Sequence, residues 1–92
     1  MIRSFACPET EALSKGESVR RFVNIAAVAQ RKRRQLQIVG TLNDLLVPPG
    51  NRLEALKGGR FGQHSIRIND QWRVCFRWTE AGAEDVEIVD YH

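Results

Sequence analysis

The stretch HSIRINDQWRVCFRW, residues 64–78, decides the fold. On either side of Asn69-Asp70, apolar and polar side chains alternate in steps of two, from His64 to Ile68 and again from Trp72 to Trp78. That is the period of a β-strand. Trp72, Val74, Phe76 and Trp78 then share one face and Arg73, Cys75 and Arg77 the other. Asn69-Asp70 is a compact turn, so the two runs pair antiparallel. Upstream, Arg52 to Leu56 reads as another strand, separated from His64 by the glycine-rich loop Lys57-Gly58-Gly59-Arg60-Phe61-Gly62. Downstream, a loop around Glu80 to Ala83 returns the chain into a strand from Asp85 to Val89, with Val86 and Ile88 on one face. A four-residue loop there pairs Thr79 with Glu84 and Arg73 with Asp90. A one-residue slip would reverse every side chain, so this register decides which residues meet.

The N-terminal half carries a different period. Met1 to Phe5 alternates and predicts a short first strand. Pro8, followed by Glu9 and Glu11, suits the first turn of a short helix ending near Gly16. From Arg21 to Val39 the residues Phe22, Ile25, Val28, Ala29, Leu36 and Val39 recur at helical spacing, which predicts an amphipathic helix. Gly40 ends it, and Thr41 caps a shorter helix through Leu42, Leu45 and Leu46 before Pro48-Pro49-Gly50. These two form a helical hairpin. The order of elements predicts an α+β fold that begins with a short strand and packs the helical hairpin on one face of a mainly antiparallel sheet. The opposite face, bearing Arg73, is expected to stay open for polar side chains.

Ninety-two residues make one small domain, residues 1–92, and exclude a two-lobed enzyme. The net charge of +3 is modest, but its distribution is not even. Residues 1–34 hold eight basic and three acidic side chains, concentrated in Arg20-Arg21 and Arg31-Lys32-Arg33-Arg34. Arg52 to Trp78 adds six basic against two acidic, and from Thr79 onward there are five acidic residues and no lysine or arginine. This pattern suits a polyanion on some faces and internal neutralisation at another. Cys7 and Cys75 are too few and too far apart for a disulfide framework, and no apolar run resembles a signal peptide or spans a bilayer. A cytoplasmic location without membrane association is the expectation.

Candidate chemistry is narrow. His64 and His92 are not at ligand spacing with each other or with either cysteine, so no metal is expected. The Lys57–Gly62 loop matches neither a P-loop nor a dinucleotide fingerprint, so no cofactor is expected, although Lys57 and Arg60 suit a phosphate contact. His64, on the Ile66 parity, is expected to pack. The closing Asp90-Tyr91-His92 lies near the Arg73 strand. Metal-free RNA cleavage needs a base for the 2′-hydroxyl, an acid for the leaving 5′-oxygen and cations for the phosphorane charge. His92 titrates near neutrality and suits acid or base work. Arg73 and Lys57 suit the phosphate, Tyr91 a nucleotide, and Asp90 the orientation of His92 or Arg73.

The ordered set Pro48-Pro49-Gly50-Asn51-Arg52-Leu53, Leu56-Lys57-Gly58, Arg60, Gly62, Ser65 to Asn69, Gln71-Trp72-Arg73-Val74 and Asp90-Tyr91-His92 resembles the HigB toxins of bacterial toxin-antitoxin pairs, within the RelE/ParE superfamily. The resemblance implies a RelE-like endoribonuclease that enters the ribosomal A site, cuts messenger RNA without metal or cofactor, and arrests translation. By position it implies His92 for proton transfer, Lys57 and Arg73 for phosphate and charge, and Asp90 and Tyr91 for positioning. Glu54 stands where some relatives carry a histidine, either as a base with its pKa raised by burial or as an exposed acid. The implied partners are ribosomal RNA, bound by Arg20, Arg21, Arg31, Lys32, Arg33, Arg34 and Arg60, the message, and a HigA-like helix-turn-helix antitoxin. A monomeric free toxin and a hetero-oligomeric complex are expected. The superfamily also includes non-enzymatic inhibitors of DNA gyrase of the ParE type, the alternative reading.

Overall fold

The structure, a computed structural model, describes residues 1–91. Two helices, α1 (Pro8–Ser14) and α2 (Ala26–Ile38), lie against a four-stranded antiparallel meander of β1 (Glu54–Ala55), β2 (His64–Arg67), β3 (Trp72–Thr79) and β4 (Gly82–Asp90), in that order across the sheet. The expected α+β architecture is present. Phe22, Ile25, Ala29 and Leu36 come from α2 and the turn before it, and meet Ile66, Val74, Phe76, Val86 and Ile88 of the sheet in one core. α1 is fastened to β4 by Thr10, a buried residue whose Oγ1 accepts from the Ile88 N–H at 3.0 Å.

Three elements differ from expectation. The helix expected from Arg21 begins only at Ala26, and Arg20–Phe22 is a 3-10 turn. Val23, Asn24 and Ile25 are weak helix formers, whereas Ala26-Ala27 opens with the strongest. Phe22 thereby drops into the core, edge-on to Trp72 with ring centroids 5.5 Å apart. The second helix of the expected hairpin is a 3-10 segment, Leu42–Leu46, closed by a capping box between Thr41 and Asp44. The helical pair on the sheet is therefore α1 with α2. The first strand is reduced to two isolated parallel bridges, Ile2 with Ala83 and Phe5 with Val86, along the outer edge of β4.

The β3–β4 register also departs from expectation. Its loop has two residues, Glu80 and Ala81, because Thr79 pairs with Gly82, and the Thr79 hydroxyl bonds back to the Gly82 carbonyl at 2.9 Å. Gly82 enters the strand with φ +129°, and a Cβ there would lie 2.0 Å from the Met1 carbonyl oxygen. Farther along, Phe76 faces two residues, Asp85 and Val86, in a bulge where Asp85 has φ +53°. Beyond the bulge Arg73 stands opposite Val89, and Asp90 opposite Trp72. The expected pairing of Arg73 with Asp90 is corrected accordingly.

Candidate functional site

The sheet face turned away from α2 carries the polar parity of the strands. Glu54, Ser65, Cys75 and Glu87 form one row across the four strands, and Arg67, Arg73 and Val89 form the next. This face is not open as expected: Arg73 is only 7% exposed and Cys75 is fully buried. The segment from Arg52 to Gln63 closes over it, with Leu56 buried and Arg60 reaching across to Glu87 at 3.2 Å. Burial pushes the Cys75 thiol pKa up, against the opposing pull of Arg60.

Burying a guanidinium is costly unless its donors are satisfied. Arg73 Nε donates to Ser65 Oγ at 2.7 Å, and Nη2 donates to the Arg52 carbonyl at 2.7 Å. Arg52 follows the turn Pro49–Asn51 in a left-handed backbone conformation, φ +46°. All of these partners are neutral, and among the described residues no carboxylate forms an ion pair with Arg73. Its direction is thus fixed by neutral groups among the described residues. The Tyr91 ring lies over the guanidinium, 5.8 Å from Cζ, a cation–π contact.

Asp90 leaves β4 opposite Trp72, and its carboxylate accepts from Gln71 Nε2 at 3.0 Å. The Tyr91 N–H donates to the Gln71 carbonyl at 2.6 Å, so Gln71 anchors the chain as it leaves the strand. Asp90 and Tyr91 are both exposed. His92, the expected proton-transfer residue, lies outside the described residues. Glu54 is exposed at the β1 edge, so the burial that would adapt it as a base is missing. Lys57 is exposed just before the 3-10 turn Gly58–Arg60. His64 packs as expected, with its ring stacked on Phe76 at 6.3 Å between centroids.

The basic residues do not form one surface. Lys32 donates to the buried Asn51 Oδ1, and Arg33 donates to Gln30 Oε1 at 2.7 Å. Burial, with Arg31 and Arg67 nearby, lowers the Lys32 pKa. Arg31 and Arg34 are exposed and make no ion pair among the described residues. Arg21 pairs with Glu9 at 2.8 Å and lies over the Phe22 ring at 4.7 Å, whereas Arg20 is exposed. Of the seven basic candidates, Arg20, Arg31 and Arg34 remain as surface cations without an ion pair among the described residues.

Sequence reasoning passed over Ser65, Asn51 and the Arg52 carbonyl. Ser65 was legible, since antiparallel pairing about Asn69-Asp70 sets it beside Cys75 on the Arg73 face. Asn51 is fully buried and donates to Gln35 Oε1 at 3.0 Å and to the Leu45 carbonyl at 3.1 Å, which ties the Pro49–Asn51 turn to α2. Only the tertiary fold reveals that role. Among the described residues no cluster of three or more His, Cys, Asp or Glu is placed to hold a metal ion, and no helix is long and apolar enough to cross a membrane.

Comparison with known proteins gives concordant results. Toxin HigB-1 of Vibrio cholerae serotype O1 is 43% identical over 53 residues, a match spanning 58% of this chain and 56% of that toxin, little more than half its length. The YoeB-YefM complex from Staphylococcus aureus contains a chain with the same fold, at TM-score 0.62 and 20% identity, over 100% of this chain and 98% of that one. The family described as the RelE-like toxin of type II toxin-antitoxin system HigB matches residues 15–92. The chain therefore belongs to the RelE-like HigB toxin family of type II toxin-antitoxin systems.

Proposed function

We propose that this toxin is a ribosome-dependent endoribonuclease that cuts messenger RNA in the ribosomal A site by metal-free acid–base chemistry. The observation that carries this reading is Arg73, a buried guanidinium aimed by neutral partners and paired with no carboxylate among the described residues. A cation fixed in advance, in a poorly solvated place, is suited to charge that develops on a phosphorane. In the reaction the 2′-hydroxyl oxygen attacks the adjacent phosphorus, the bond to the 5′-oxygen breaks, and a 2′,3′-cyclic phosphate is left. His92 moves the proton at one or both oxygens, Lys57 shares the phosphate charge, and Tyr91 positions a nucleotide. Asp90, held by Gln71, orients the closing residues. Glu54 is a second candidate base, acting only at the solvent edge.

Ribosomal RNA is met by Arg20, Arg31 and Arg34, whose binding is salt-dependent. A HigA-like helix-turn-helix antitoxin neutralises the toxin in a hetero-oligomeric complex. The reading is supported by membership of the HigB family and by the YoeB-YefM likeness, which concerns the fold. The test is primer-extension mapping of a translating message in a purified system, with and without ribosomes, beside a gyrase supercoiling assay. Cuts in the A site that require ribosomes support the proposal; loss of supercoiling without cuts transfers the chain to gyrase inhibition.

A further inference from the structure

Phe61 is 82% exposed, more than any other large hydrophobic side chain among the described residues. A lone exposed apolar residue is ordinary, but this one is held outward by a closed turn. The Phe61 N–H donates to the Gly58 carbonyl at 3.0 Å, and the Gln63 N–H to the Arg60 carbonyl at 3.0 Å. Arg60 clamps the same turn to the sheet through Gln63 at 3.1 Å and Glu87 at 3.2 Å. Gly62, at φ +94°, follows directly, and a Cβ there would come within 2.8 Å of Arg77 Nη1. The ring is thus presented on a fastened tip that carries Lys57 and Arg60 just before it in sequence and has Arg77 beside Gly62. Glu87 offsets Arg60, and Asp85 stands 3.9 Å from Arg77, while Lys57 has no ion pair among the described residues.

An exposed aromatic on a basic loop is the combination that binds single-stranded nucleic acid, with the ring stacking on a base and the cations meeting phosphates. Arg60 reaches onto the same sheet face that holds Arg73 and Tyr91. Arg73 and Arg77 are four positions apart on β3, about 13 Å at strand rise. Tyr91 lies over the first and Gly62, next to Phe61, lies beside the second, a spacing several times the roughly 3.4 Å step between stacked bases, which assigns the two aromatics to different nucleotides. We infer that Phe61 stacks on an unpaired RNA base, one of the message or of ribosomal RNA, and so positions the substrate. This rests on the RNA-cleaving reading above.

The experiment uses ribosomes programmed with a message carrying 2-aminopurine at the A-site codon, and the variants Phe61→Ala, Phe61→Leu and Phe61→Trp. A 2′-O-methyl version, which lacks the nucleophile, keeps the complex intact for fluorescence and for chemical footprinting of ribosomal RNA bases. Phe61→Ala and Phe61→Leu are expected to raise KM for programmed ribosomes about tenfold with kcat little changed, and Phe61→Trp to restore it. Quenching of 2-aminopurine by wild type but not by Phe61→Leu assigns the base to the message. A Phe61-dependent footprint assigns it to ribosomal RNA. Wild-type KM in both the Ala and Leu variants, with no change in either optical or footprint signal, overturns the inference. So does weakened ribosome binding whose base signals, read at saturating protein, match wild type, which would place Phe61 against protein. If wild type cuts no message, a Phe61-dependent base signal still supports the stack while the nuclease reading falls, and its absence overturns the stack as well.

Discussion

Arg73 Nε donates to Ser65 Oγ at 2.7 Å, from one strand to its neighbour, and this bond aims the guanidinium. Ser65→Ala leaves that buried N–H without a partner, at a cost of about 1–3 kcal/mol in unfolding free energy. Urea denaturation checks the stability. Ribosome-dependent cleavage should fall while ribosome affinity stays near wild type, because the aim of the cation is lost and its charge is kept.

Gly82 and Gly59 provide a matched pair. A Cβ at Gly82 would meet the Met1 carbonyl at 2.0 Å at a backbone φ of +129°, whereas Gly59 has nothing within 4 Å. Gly82→Ala should destabilise the fold by about 2–4 kcal/mol through strain and loss of the N-terminal bridges. Gly59→Ala should stay within about 0.5 kcal/mol of wild type. Thermal or urea unfolding of both reads the contrast.

These two glycines show where sequence reading stops. The alternation from Trp72 to Trp78 is local, so the core face and the Arg73 face were legible before any fold was known. The β3–β4 register was not, because the reason for Gly82 is a carbonyl contributed from Met1, far away in the chain. Burial of Arg73 was also hidden, since the cover from Arg52 to Gln63 is tertiary. The run Arg31-Lys32-Arg33-Arg34 reads as one basic patch in composition. At about 3.6 residues per turn, however, four consecutive side chains point all round the helix.

That geometry divides the basic run by role. Exchanging Arg31 and Arg34 for glutamine should weaken ribosome binding and flatten its salt dependence, with the slope falling by about 0.7–0.9 for each phosphate that is no longer neutralised. Lys32→Gln and Arg33→Gln should leave the slope close to wild type, because those side chains are engaged with Asn51 and Gln30. Equilibrium binding at several salt concentrations separates the two pairs.

Lys32 should give stability a pH signature. Burial, with Arg31 and Arg67, lowers its pKa from the ordinary 10.5, so the unfolded chain holds the proton more tightly than the native one. The resulting penalty is complete below the folded pKa and disappears as pH rises to the unfolded value. Wild type should therefore gain stability relative to Lys32→Met as pH climbs toward 10.5, measured by urea titration of both proteins across that range. A difference that is flat with pH would contradict the account.

The most direct test of the central claim is single-turnover cleavage on programmed ribosomes by wild type, Arg73→Lys and His92→Gln, with the new 3′ ends analysed chemically. Wild type should leave 2′,3′-cyclic phosphate ends. Arg73→Lys should lower the rate about 10²–10³-fold, because a point charge replaces the fixed fork. His92→Gln should lower it about 10²–10⁴-fold, the range of a lost general acid or base. Ribosome binding should persist in both variants. Wild-type rates in either variant, or ends bearing a free 3′-hydroxyl, would contradict the proposed acid–base cleavage.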